Sequence, residues 1–198
     1  AGFYFDSAYK TTPCIWNENN ERINLPLPTS EEAGFEVNGG QVRYMTPDGK
    51  VLAGFLIDNM ATWPACIWRQ NAEGGYDVDI ICKDYWEEGY QQGKPYMVFN
   101  PSGISANGEW LALTVQAEFD DWDFSAPQPP MQIARLNLTT GVLEVLEVQV
   151  GLAPTGIAND GTMLAYAGAN NMMERVGYVW TAGSNELVNL NDVLTTVP

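Results

Sequence analysis

Two carboxylates stand out by their spacing. Asp6 and Asp58 end the apolar starts of two similar segments, GFYFDSAYKTTPCIW (2–16) and GFLIDNMATWPACIW (54–68). A pair of carboxyl groups about 5–9 Å apart can hydrolyse a glycosidic bond. A repeated Asx turn capping a strand would leave the same pair behind. A second acidic group, Asp120, Asp121 and Asp123, offers the oxygens that hard cations take, but its spacing fits no calcium loop. Aromatic residues Trp63, Tyr85, Trp86, Tyr90, Tyr96 and Trp122 sit in polar segments of the same kind. Exposed aromatics beside carboxylates hold sugars or peptides, though they can equally cover the end of a sheet. Trp63, Trp86, Tyr90, Trp122 and Asp58 are therefore the candidate ligand-binding residues. No residue is assigned a catalytic role, and neither a metal site nor a cofactor is expected.

Composition removes most other chemistries. The 198 residues include no histidine, so this chain cannot supply a Ser-His-Asp triad, a Cys-His pair or a His-ligated zinc. Gly39-Gly40 and Gly74-Gly75 stand alone, and no Gly-Lys-Ser/Thr phosphate loop follows a strand. Nine basic residues against 25 acidic ones give a net charge of −16, a field that repels nucleic acid and acidic membranes. No apolar run reaches the ~18 residues of a membrane-spanning helix. Three cysteines are too few and odd in number for a disulfide framework. Cys66 and Cys82 flank Gly74-Gly75 and can face each other across a hairpin, but buried thiols are the favoured expectation.

The elements that position these residues follow from a repeat. The two opening segments share Gly, Phe, Asp, Cys, Ile and Trp without a gap. A second marker, MTPDGKVLAG (45–54), ISANGEWLAL (104–113) and IANDGTMLAY (157–166), also aligns without gaps. Asp-Gly or Asn-Gly between apolar runs is a strong hairpin signal, because Gly accepts positive φ. A strand-turn-strand pattern follows each marker, CIWRQNAEGGYDVDI, IARLNLTTGVLEVL and YVWTAGSNELVNL, and a fourth copy, CIWNENNERINL, lies ahead of the first. Four short strands, a to d, repeating every fifty-odd residues predict β-propeller blades. VLAGFLI (51–57) and WLALTV (110–115) are apolar almost throughout, as strands covered on both faces are. A β-sandwich with coincidental self-similarity is the competing architecture.

The fold class expected is thus all-β: a partial β-propeller of four-stranded antiparallel blades, three complete and one incomplete. The blades fall at about 1–28, 42–82, 100–148 and 153–194, forming one propeller-like domain or fragment. Ala1 aligns with Ala53, so the chain begins inside strand b. Missing blades or self-association are therefore expected to complete the ring.

Residues 154–194 resemble the HAF-type extracellular repeat of bacteria through Ile157, Asn159, Gly161, Gly168, Tyr178, Val179, Trp180, Gly183 and Leu187. Residues 42–70 match the same frame through Asp48, Gly49, Gly54, Ile67 and Trp68. The third repeat departs, with Arg135-Leu136 in place of the Trp strand, and the usual His is absent. The resemblance implies a secreted, periplasmic or cell-envelope protein with no defined catalytic residues.

Propeller connectivity places the tight a–b and c–d turns on one face. The long segments, 28–40, 83–97 and 117–130, all belong to the other. Loops on a rigid scaffold commonly carry binding. The leading expectation is a non-catalytic binding or scaffold module whose ligand is a protein or a glycan. The alternative is a glycan-active enzyme using carboxylates on the loop-bearing face. A third possibility is a purely structural part of a larger assembly.

Overall fold

In a computed structural model, the described residues are 1–5, 10–57, 63–81, 96–117, 131–146, 151–168 and 175–194. The first sheet holds β1 (Gly2–Phe5), β2 (Thr11–Trp16) and β3 (Arg22–Asn24). A short helix, α1 (Ser30–Ala33), leads to the second sheet: β4 (Gly39–Met45), β5 (Val51–Ile57), β6 (Ala65–Gln70) and β7 (Tyr76–Ile80). The third has β8 (Tyr96–Ile104), β9 (Trp110–Ala117), β10 (Gln132–Asn137) and β11 (Leu143–Leu146). The fourth has β12 (Leu152–Ile157), β13 (Met163–Gly168), β14 (Arg175–Trp180) and β15 (Leu187–Asn189), followed by α2 (Leu190–Leu194). Strands pair in chain order and antiparallel throughout. The strand that opens each four-stranded sheet lies against the preceding sheet: β4 on β1 and β2, β8 on β4 and β5, β12 on β8 and β9. This is a partial β-propeller of one three-stranded and three four-stranded blades, numbered here 1 to 4.

Blade 1 corresponds to strands b, c and d. Gly2 pairs with Cys14 as Gly54 pairs with Cys66. Gly54 is needed there because a Cβ would overlap the Gln41 carbonyl of the neighbouring strand. Within the first long segment, 28–40, the sequence folds further than expected. Thr29 accepts from the Glu32 N–H while the Glu32 carboxylate accepts from the Thr29 N–H, a capping box that starts α1. Gly39 and Gly40 are the first residues of β4, not loop. Likewise β8 begins at Tyr96, four residues before the expected start of its blade.

The a–b turns explain both the repeat and the different facing of blade 4. Gly49, Gly108 and Gly161 all have φ between +72 and +86, the left-handed value that the Asp/Asn-Gly turn demands. In blades 2 and 3 the first turn residue is Thr46 or Ser105. Its hydroxyl accepts from the N–H of Val51 (3.1 Å) or Trp110 (2.9 Å), and pairing resumes at Met45–Leu52 and Ile104–Leu111. In blade 4 the equivalent residue is Ala158. Without a hydroxyl the turn closes one residue sooner, Ala158 N–H to Thr162 carbonyl, and pairing resumes at Ile157–Met163. A one-residue slip exchanges the faces of a strand. Leu52 and Leu111 are fully buried, whereas Leu164, aligned with them in sequence, is 47% exposed. Met163, Ala165 and Ala167 turn inward instead, and join Ala112, Ile133 and Leu146 of blade 3.

Blade 3 keeps the register of blade 2, and that register places Arg135. Arg135 lies opposite Ala112, as Ile67 lies opposite Ala53, so Leu136 and not Arg135 stands at the register of Trp68. Arg135 is 1% exposed between blades 3 and 4. It donates through Nε and Nη2 to Glu144 Oε2 and through Nη1 to the carbonyls of Gly161 and Thr181, both at 3.0 Å. Its guanidinium stacks 4.1 Å from the Trp180 ring. Cys66 lies opposite Ile80, so the hairpin does not set it against Cys82 directly, and Cys82 itself is outside the described residues. Cys14 is buried, which raises its thiol pKa above the ordinary value. No described helix is long and apolar enough to cross a membrane.

Candidate functional site

Each opening strand carries a β-bulge at the same place. The register shifts skip Arg43, Ser102 and Thr155, each six residues before its turn glycine. A bulge re-aims the residue it displaces and bends the strand. Arg43 and Ser102 thus leave the ladder on neighbouring inner strands, and both line one cleft between blades 2 and 3.

That cleft measures about 410 Å³ and is open to solvent. One wall is β4 and β5, through Gln41, Arg43, Tyr44, Phe55 and Ile57; the other is β8, through Asn100, Pro101 and Ser102. Trp63 closes its rim. Ile57 ends strand b and Trp63 lies in the following connection, so the cleft reaches the face expected to carry the long loops.

Trp63 is the one predicted ligand residue among those described. It is 46% exposed, with φ +48, a left-handed value that is rare for a bulky residue. Its ring stacks on Phe55, with centroids 5.7 Å apart and planes 26° from parallel. Phe55 is 7% exposed and so fixed by the core. Asp58, Trp86, Tyr90 and Trp122 lie outside the described residues, as do Asp6, Tyr85 and the Asp120–Asp123 group.

Two cleft residues were not predicted. Arg43 lies beside two aromatic rings, 5.3 Å from the Phe55 centroid and 5.8 Å from that of Phe3. Both distances are within cation–π range. Gln41 Oε1 is buried and accepts no hydrogen bond among the described residues. No described lining residue is acidic. Asp48 and Asp160 sit elsewhere, in the a–b turns. Asp48 is held below the ordinary carboxylate range first by the Thr46 hydroxyl, and Asp160 first by the Thr162 N–H. Among the described residues no cluster of acids, histidines and cysteines could hold a metal ion.

Known structures agree with this architecture. TolB from Acinetobacter baumannii is similar to this chain with a TM-score of 0.54 at 13% identity, over 96% of this chain and 40% of that one. A prolyl endopeptidase is similar with a TM-score of 0.52 at 15% identity, over 88% of this chain and 25% of that one. The chain therefore spans well under half the length of these neighbours, and the likeness concerns fold. No family model matches the sequence, and no curated protein does.

Proposed function

We propose that this chain is a non-catalytic binding or scaffold part of a bacterial envelope or secreted β-propeller protein, and that it binds ligand in the cleft between blades 2 and 3. The observation that carries this is the cleft itself: a strained, half-exposed Trp63 stacked on a fixed Phe55, beside Arg43. Strain of this kind persists where surrounding structure holds it, commonly at ligand clamps. The HAF-type resemblance of 154–194 supports the envelope or exterior setting. The share of the neighbours' length that is covered supports further blades, or a second chain, completing the ring.

The cleft favours binding over glycan hydrolysis. A general acid needs a carboxyl group with a raised pKa, and the described wall offers Arg43, amides and rings instead. Indole fluorescence during titration with short oligosaccharides and short apolar peptides tests the reading. Binding by one class, lost in Trp63→Ala, is expected. Binding that survives Trp63→Ala unchanged would place the site elsewhere. Glycan turnover abolished by Asp58→Asn would establish the enzymatic alternative.

A further inference from the structure

We propose that the cleft recognises the C-terminal end of a peptide by its free carboxylate, an assignment that rests on the cleft being the binding site. Three features of the wall each ask for a different group, and one kind of ligand supplies all three.

The first is a cation. Arg43 takes part in neither the Lys50–Asp48 nor the Arg135–Glu144 ion pair. The bulge moves Arg43 out of the ladder into the cleft, beside the rings of Phe3 and Phe55. Apolar rings beside the guanidinium strengthen its field locally. Its planar N–H fork matches a carboxylate in a bidentate way.

The second is an acceptor. Gln41, two residues before Arg43, lines the same cleft, and its Oε1 is buried without a donor among the described residues. A buried acceptor is most stable when something donates to it. The third is an apolar platform made by Trp63 on Phe55, with Ile57 and Pro101 beside it.

A C-terminal residue brings a carboxylate, an amide N–H one bond from the same Cα, and a side chain. A neutral sugar lacks the anion. A uronic acid has the anion and donors, but offers only a C–H face to the rings. A polyanion would meet the full −16 field of the chain, whereas a single carboxylate beside an apolar group meets it least.

Calorimetric titration of the chain with N-acetyl-alanyl-leucine, its C-terminal carboxamide, glucuronic acid and N-acetylglucosamine tests this. The free acid is expected to bind about tenfold more tightly than the carboxamide, the scale of a charge-assisted pair. Arg43→Gln should reduce the acid to the level of the carboxamide, and Arg43→Lys should recover part of the difference. The acid–carboxamide comparison needs no variant, so it does not depend on how the substitutions fold. Equal binding of acid and carboxamide would overturn the carboxylate assignment while leaving the cleft as the site. Tighter binding of glucuronic acid, lost in Arg43→Gln, would overturn the peptide in favour of an acidic sugar. Binding of N-acetylglucosamine alone, lost in Trp63→Ala, would overturn the assignment and keep the cleft. Binding by none of the four would overturn both.

Discussion

Gly161 makes the contact between blades 3 and 4 measurable. Its φ of +86 is left-handed, so alanine there costs roughly 1–2 kcal/mol in backbone strain alone. A Cβ would also stand 2.9, 3.0 and 3.1 Å from three atoms of the Trp110 indole in the preceding blade. Carbon atoms pack at about 3.5–4.0 Å, so the ring would have to retreat by roughly half an ångström or more. Overpacking of that size costs about 1–3 kcal/mol. Gly161→Ala should therefore lose ~2–5 kcal/mol in all. Gly183 is the internal control: its φ is +70 and nothing lies within 4 Å of a Cβ, so Gly183→Ala should lose only the backbone part. Urea unfolding of both variants gives the comparison through the midpoint, provided the slope is unchanged. At this chain length each kcal/mol moves the melting temperature by roughly 2–4 °C, which gives a second readout. If Gly161→Ala cost no more than Gly183→Ala, the indole would not be packed against the turn, and the account of how blades 3 and 4 meet would be wrong.

Ser105→Ala removes the hydroxyl that accepts from the Trp110 N–H, leaving a donor unpaired beside a fully buried residue; a loss of about 1–3 kcal/mol in urea is expected, and none would discount the hydroxyl's role in the longer turn. Arg135→Met keeps an apolar side chain between blades 3 and 4 but leaves the Gly161 and Thr181 carbonyls without their donor. It should cost about 2–4 kcal/mol, and a neutral or stabilised variant would refute the bridge. The Asp48 and Asp160 carboxyls are both held below their ordinary value, so their contribution is present above that ordinary value and is lost as pH falls through the folded one. The double variant Asp48→Asn with Asp160→Asn should flatten the acid limb of stability measured from pH 6 to 2; an unchanged limb would assign acid unfolding to other groups.

Much of the architecture was legible because turn chemistry repeats. Asp48-Gly49, Asn107-Gly108 and Asp160-Gly161 marked the a–b hairpins, and the apolar runs beside them are the strands found. The facing of blade 4 was not legible from that alignment. It turns on one hydroxyl: Thr46 and Ser105 admit an extra residue before pairing resumes, and Ala158 does not. The same slip explains why Trp68 and Trp180, which align in sequence, occupy different registers. Trp68 pairs with Leu52 and Trp180 with Met163, yet both reach toward the preceding blade. The Trp68 indole donates to the Pro26 carbonyl at 2.7 Å, and the Trp180 ring stacks on Arg135. A Ser or Thr at the first position of the turn was the available signal, and it concerns a side chain that replaces a backbone acceptor.

The cleft divides in the same way. Trp63 stood out by type, as a large aromatic in a polar connection, where such a residue either holds a ligand or covers the end of a sheet. Arg43 was hidden, because in regular alternation a residue of an inner strand belongs to the packing between blades. Only the bulge releases it, and a bulge leaves no composition of its own in one strand. It does leave a period: Arg43, Ser102 and Thr155 stand at one distance from three turn glycines, so the displaced position recurs wherever the turn does. A guanidinium and two hydroxyls at one geometric position point to a scaffold that fixes the displacement and leaves the side chain free to vary. Between blades 2 and 3 that freedom sets an arginine and a serine on opposite walls of one cleft. Blade 4 places Thr155 at the equivalent point, so exchanging Thr155 for Arg tests whether the position itself presents a side chain outward. The exchange should leave the melting temperature within about 2 °C, as a surface substitution does. A larger loss would mean that the displaced residue is packed, and that Arg43 owes its exposure to its own neighbours rather than to the bulge.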